Sequence, residues 1–274
     1  MKLHFWGVRG FYPVASAATQ CYGGNTAAIE VISDSGSRLL VDLGTGAIPF
    51  GRALMAQEFG RGNGHLSVLL THTHLDHTAG LPFFVPAFIP GNKIDIYGAA
   101  SQTSLRGVLD DLFDSHVCPI NSLDNLGATL TISDLCDRDI AIGEFRVQQL
   151  CVPHGHGSGA AWRVSADGRD VVLMTGIDHP TGTILQRAAD FARGADLLLH
   201  DCTWKVPNEL KLRWGGSTLA QALEMATVAQ VKRLCLTHHA PGCDDEGIVT
   251  MLAEAQSGIN IPVMAAAEGH DCPI

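Results

Sequence analysis

Three histidines and one aspartate fall within six consecutive positions of the stretch LSVLLTHTHLDHTAG: His72, His74, Asp76 and His77. Imidazole nitrogen and carboxylate oxygen are ligands for zinc, manganese or iron. In an extended segment residues i and i+2 point the same way, so His72 and His74 can share one cation. Asp76 and His77 then fall at the turn into a helix beginning near Thr78, where they can face a second. With 13 histidines in 274 residues, three at fixed offsets arise by chance in roughly 1 window in 10⁴, which makes a merely polar loop a poor account.

Two cations need further ligands, and three other strand ends offer them. FRVQQLCVPHGHG supplies His154 with His156 nearby, DVVLMTGIDHP supplies Asp178 beside His179, and KRLCLTHHAP supplies His238 beside His239. Each is weak alone. Together they fit a sheet fold whose loops at the strand ends converge on one face.

The elements that must position these groups are legible in the patterning. KLHFWGV, AAIEVIS, RLLVDLG, LSVLLT, KIDIYG, TLTIS, FRVQQLCV, AAWRVS, DVVLMTG, ADLLLHD and KRLCLTH read as strands. AIPFGRALMAQEF, SQTSLRGVLDDLF (with Ser101 as an N-cap), TILQRAADFARG, STLAQALEMATVA and DEGIVTMLAEAQ carry helical spacing. A first strand-rich half is followed by a second of the same order. Two mixed sheets packed face to face with helices outside, a four-layer αββα sandwich of the α/β class, would bury both sets of apolar strands. No linker or composition break divides the chain, so residues 1–274 read as a single domain.

Composition narrows the partners. A formal net charge of −10 without a Lys/Arg cluster makes a long nucleic acid a poor default partner and favours a small-molecule substrate. No uncharged apolar run approaches the ~18 residues that cross a bilayer, and the N-terminal stretch does not read as a secretory signal. A cytoplasmic protein is expected. The eight cysteines form no CxxC pair and read as reduced, mostly buried thiols.

THTHLDHTAG, the later His154, Asp178 in TGID and His238 in LTHH resemble the metallo-β-lactamase fold superfamily, with YGGNTAAIEV and LLVDLGTG extending the likeness over nearly the whole chain. ADLLLHDCTW, WGGSTLAQALEMA and KRLCLTHHAP are similar to its phosphodiesterase and ribonuclease Z branch. The resemblance implies that His72, His74 and His154 hold one divalent metal, that Asp76, His77 and His238 hold the other, and that Asp178 bridges them. His156 and His239 remain alternatives to their neighbours. Asp42 would orient a ligand histidine. The metals are expected to be zinc, with manganese or iron acceptable to the same ligands, and a homodimer is a further family expectation.

Two such cations bridge a water, lower its pKa and neutralise charge on a phosphoryl or carbonyl oxygen. The reaction class is metal-dependent hydrolysis, with a small linear or cyclic phosphodiester as the expected substrate. Asp76 is the candidate to orient or deprotonate the attacking water, and Asp201 in HDCT matches an acidic position of the branch. The branch pattern also has a histidine in an HST motif, where this chain has Gly216 in GGST. That departure leaves open a carbonyl ester, lactone or thioester hydrolase, or a metal-holding scaffold without activity. Arg9 reads as one half of a structural ion pair, or as a contact for an anionic substrate. Trp204, Phe83, Phe84 and Phe88 read as core or interface packing, with a pocket wall as the alternative.

Overall fold

The computed structural model describes residues 1–99, 103–116, 118, 120–154, 157–175, 181–204 and 215–274. Asp178, with its neighbour His179, and His156 lie outside them, as does Ser101.

The first sheet is built from β1 (Lys2–Gly7), β2 (Ala28–Ile32), β3 (Arg38–Val41), β4 (His65–Leu69), β5 (Lys93–Ala99) and β6 (Thr129–Leu135). The second contains β7 (Asp139–Ile142), β8 (Phe145–His154), β9 (Gly157–Ala166), β10 (Arg169–Met174), β11 (Leu197–Asp201), β12 (Leu234–Thr237) and β13 (Val263–Ala265). The last strand, β14 (Asp271–Pro273), returns to the first sheet, giving the orders β14-β1-β2-β3-β4-β5-β6 and β13-β12-β11-β10-β9-β8-β7. Helices α1 (Ala47–Leu54), α2 (Leu75–Thr78) and α3 (Leu105–Asp111) belong to the first half, and α4 (Gly182–Ala192), α5 (Leu219–Val228) and α6 (Asp245–Gly258) to the second.

Alternation along the strands creates the layers. Leu39, Val41 and Leu69 face the other sheet and pack with Trp162, Val164, Leu173 and Leu199 in a central core. Leu40, Val68 and Ile96 point the opposite way, against Phe50, Leu54 and Leu109 of α1 and α3. Leu198, Val172 and Leu234 likewise cover Ala188, Ala192, Ala222 and Met225 of α4 and α5. Strands apolar on both faces are what a layer between a sheet and helices demands. The expected αββα sandwich is the observed one.

Local starts differ in detail. Ser104 caps α3 by accepting the Gly107 N–H. Thr218 caps α5 in a capping box with Gln221. Strands β7, β13 and β14, three or four residues long, are too short to show a period. No helix among the described residues is long and apolar enough to cross a membrane.

Candidate metal centre

Strand β4 ends against β9: the Trp162 indole donates to the Leu70 carbonyl at 3.0 Å, and the Ala160 N–H donates to the Thr71 carbonyl at 2.6 Å. These bonds fix the segment that carries His72 and His74 before the single turn of α2 places Asp76 and His77. Two donor groups result. His72, His74 and His154 offer nitrogens within 4.8 Å of one another, with His154 Nε2 3.1 Å from His74 Nδ1. On the other side His77 Nε2 lies 3.2 Å from His238 Nε2, and Asp76 Oδ2 lies 3.3 Å and 3.1 Å from those two nitrogens. Tetrahedral ligands at ~2.05 Å from zinc are separated by about 3.3 Å, so the spacing of the second group fits one cation at its centre.

The rings are aimed by hydrogen bonds on their far sides. The Thr203 hydroxyl donates to the His238 carbonyl at 3.0 Å, so it accepts from His238 Nδ1–H at 2.9 Å. That leaves the Nε2 lone pair of a neutral His238 facing Asp76 and His77. Asp42, fully buried, accepts the Thr71 N–H, the Thr71 hydroxyl and His77 Nδ1–H, each at 2.8–3.0 Å. It thereby fixes the direction of the His77 ring. The Phe11 N–H donates to Asp76 Oδ2 at 2.6 Å. Gly10 lets this loop approach, since a Cβ there would stand 2.4 Å from the His238 ring.

Electrostatics suit cations. Burial, reinforced by neighbouring imidazoles, holds His72 well below its ordinary pKa and His154 down to about 3, so both present lone pairs at neutral pH. Burial alone would lower His77, but Asp76 and Asp42 outweigh it and raise it to about 10. Burial alone would raise Asp76, but His77 and His238 outweigh it and hold the carboxyl far below its usual range. The same carboxylates that retain a proton on His77 would hold a metal in its place. Buried His154 Nδ1 has no hydrogen-bond partner among the described residues. The donor set therefore fits divalent cations.

His239 is turned away: its Nε2–H donates to the Ala266 carbonyl at 3.0 Å. Asp201 is fully buried, burial raises its carboxyl, and it accepts the Ser217 N–H, clamping the 215–217 turn. Gly216 in that turn has φ +98°, and a Cβ there would meet Thr203 Oγ1 and Trp204 Nε1 at 3.1 Å. Arg9 makes no close ion pair among the described residues; its guanidinium donates to the carbonyls of Gly23, Ala240 and Cys243, bracing the loop after β12. Trp204 packs on Phe11 at 5.1 Å and lines, with Thr203 and Met251, a cavity of about 860 Å³ behind His238. Trp204 thus both packs and walls a pocket, the two readings its sequence context offered. Phe84 stacks on Phe50 in the core, Phe88 packs partly buried beside it, and Phe83 is exposed. Thr71, Thr203, Gly10 and Phe11 were not singled out by sequence, although Thr71, in THTHLDHTAG, and Thr203, in HDCT, stood in motifs already noted.

Comparison with known proteins bears on the family and the fold. Residues 37–239 match the family model described as the beta-lactamase superfamily domain. A ribonuclease Z from Natronomonas pharaonis is 26% identical over 87% of this chain and 86% of its own length. One from Brevibacillus brevis is 35% identical over 134 residues, so the chain spans 41% of that relative's length and 40% of its own. Among solved structures, the metallo-beta-lactamase fold protein YhfI from Bacillus subtilis superposes with a TM-score of 0.71 at 19% identity, covering 98% of this chain and 97% of that one. Human tRNase Z, short form, gives 0.67 at 20% identity over 100% of both chains. The ribonuclease Z relatives stand against the expectation that a long nucleic acid is a poor partner. On the family match over most of its length, the chain belongs to the beta-lactamase superfamily.

Proposed function

We propose that this protein is a metal-dependent hydrolase of the phosphodiesterase type that acts on a small linear or cyclic phosphodiester. The observation that carries the reading is the meeting of two donor groups, His72/His74/His154 and Asp76/His77/His238, at the ends of β4, β8 and β12. Asp178, which follows β10 in sequence, would complete the proposed set as a seventh ligand. Two divalent cations bound there supply the positive charge that acidifies water and neutralises the phosphoryl oxygens.

The chain's own groups do the rest. Asp76 presents a carboxylate held ionised, so it orients an attacking water as an acceptor and is a weak base for its proton. Thr203 and Asp42 keep His238 and His77 aimed. Asp201 acts by holding the Ser217 turn rather than by contact with substrate. With Gly216 in place of a histidine, no imidazole stands at that turn to protonate what departs, which favours substrates with good leaving groups. The net charge of −10 supports a small substrate over RNA.

The test is turnover by zinc- or manganese-loaded protein on bis(p-nitrophenyl) phosphate, a 2′,3′-cyclic nucleotide, a precursor tRNA, a lactone and a thioester. Cleavage of the first two, abolished in His238→Ala, is expected. Cleavage of the precursor tRNA in preference to both would replace the small-substrate reading with an RNA one. Turnover of the carbonyl compounds alone would replace it with ester hydrolysis, and no turnover at two bound metals per chain with a scaffold.

A further inference from the structure

Away from the metal centre, Cys136 and Cys151 place their sulfurs 3.3 Å apart at the edge where the two sheets adjoin. Local pairing and a bend explain the meeting. Strand β7 pairs antiparallel with β8 as Asp139↔Gln148 and Ile140↔Val147, and Gln149 N–H donates to the Arg138 carbonyl at 3.0 Å. The ladder stops there: Asp137 takes φ +47° and its Oδ1 accepts the Cys151 N–H at 2.8 Å, which turns Cys136 toward Cys151. Cys136 directly follows β6, the edge strand of the first sheet, whereas Cys151 belongs to β8 of the second.

We propose that Cys136 and Cys151 are a redox-responsive dithiol whose oxidation staples the end of β6 in the first sheet to β8 of the second. A soft metal ion is the competing occupant, because Asp137 lies beside the sulfurs. Two observations weigh against it. Both Asp137 oxygens are engaged, Oδ1 by the Cys151 N–H at 2.8 Å and Oδ2 by Arg187 at 3.1 Å. The sulfurs also lie closer than the roughly 3.8 Å that separates two thiolates on one tetrahedral zinc. Cys136 is exposed, so a small disulfide such as oxidised glutathione reaches it. The Cys136 thiolate attacks one glutathione sulfur, forming a mixed disulfide and releasing one glutathione thiolate. Cys151 then loses its proton and attacks Cys136 Sγ, releasing the second. One protein dithiol and one glutathione disulfide become one protein disulfide and two glutathione thiols. Burial and the Cys136 neighbour push the Cys151 thiol up to about 11, which makes the closing step slow.

The test equilibrates the full-length protein in buffers from fully reduced to fully oxidised glutathione, then denatures it in N-ethylmaleimide and weighs it. The wild type is expected to carry two fewer maleimides at the oxidising end, with the peptides holding residues 136 and 151 cross-linked, and to melt roughly 5–10 °C higher than when reduced. Neither change is expected in Cys136→Ser or Cys151→Ser. Full labelling at every ratio, or a cross-link between other cysteines, would overturn the proposal. So would one zinc fewer per chain in Cys136→Ser than in wild type, which would make the pair a metal site.

Discussion

The substitution Asp42→Asn isolates how the centre holds its ligands. Asp42 takes φ +64°, a conformation that asparagine adopts more readily than most residues, so the backbone is spared. The change falls on the side chain. In the wild type, one carboxylate oxygen faces the Thr71 N–H at 2.8 Å and the other faces His77 Nδ1 at 2.8 Å. An amide has an oxygen for only one of these donors, and its NH2 would oppose the other. If the oxygen stays with Thr71, His77 must rotate away or move its proton to Nε2, where it would point at His238 Nε2 and Asp76 Oδ2, 3.2 and 3.3 Å off. Either response removes one lone pair from the Asp76/His77/His238 group. Loss of such a supporting partner costs roughly 10–100-fold in metal affinity, about 1.4–2.8 kcal/mol. The assay is chelator competition, with metal counted per chain, on protein shown to be folded by its urea transition. Competition curves that superimpose within about twofold would refute the claim that Asp42 fixes the His77 tautomer.

Two further outcomes follow from the fold. Trp162→Phe removes the donor to the Leu70 carbonyl and leaves the volume of half an indole empty in the central core; it is expected to cost about 2–3 kcal/mol in urea unfolding with an unchanged m-value, and a loss below ~0.5 kcal/mol would show that the bond adds nothing. Glu144 accepts hydrogen bonds from Ser33 and Ser35, and together with Ser37 these serine hydroxyls hold its carboxyl at about 2. Its folded pKa lies below its unfolded one, so its contribution is present above about pH 4.3 and fades as pH falls toward 2. Glu144→Gln is expected to lower Tm at pH 7 and to match the wild type at pH 2; an equal difference at both pH values would remove the charge from the explanation.

The layers and most of the candidate ligands were legible because both arise from local repetition. Apolar strands announce themselves within five residues, and a ligand spacing of two or four is a property of one segment. What sequence did not show depends on distant backbone. Thr203 meets His238 across 35 positions and Phe11 meets Asp76 across 65; nothing in either segment's own pattern selects the partner. The Cys136–Cys151 meeting was hidden for the same reason, since it depends on the bend at Asp137 and its bond to the Cys151 N–H, 14 positions away. Half of the cysteines are buried, fewer than their apolar neighbours suggested. Arg9 read as a charge seeking a charge, but the loop it braces offers carbonyl oxygens instead.

The distribution of backbone strain points to the same centre. Six described non-glycine residues have positive φ, and three of them, Phe11, Asp42 and His238, make contacts within the Asp76/His77/His238 group. Such conformations cost of order 1–3 kcal/mol each and persist only where the surroundings over-determine them. Here the surroundings are specific. The loop after β1 is held by Val8 and Arg9 N–H donating to the Asn25 carbonyl and by Gly10 N–H donating to His239. The turn after β12 is held by His239 N–H donating to Val8. The two strained turns thus brace each other, and relaxing either would withdraw the Phe11 N–H from Asp76 or swing His238 out of its group. A site that only tolerated a loose cation would not need ligands fixed this way. Strain gathered on the aiming of three donors is what a centre requires when its charges must stand at set positions before the substrate arrives.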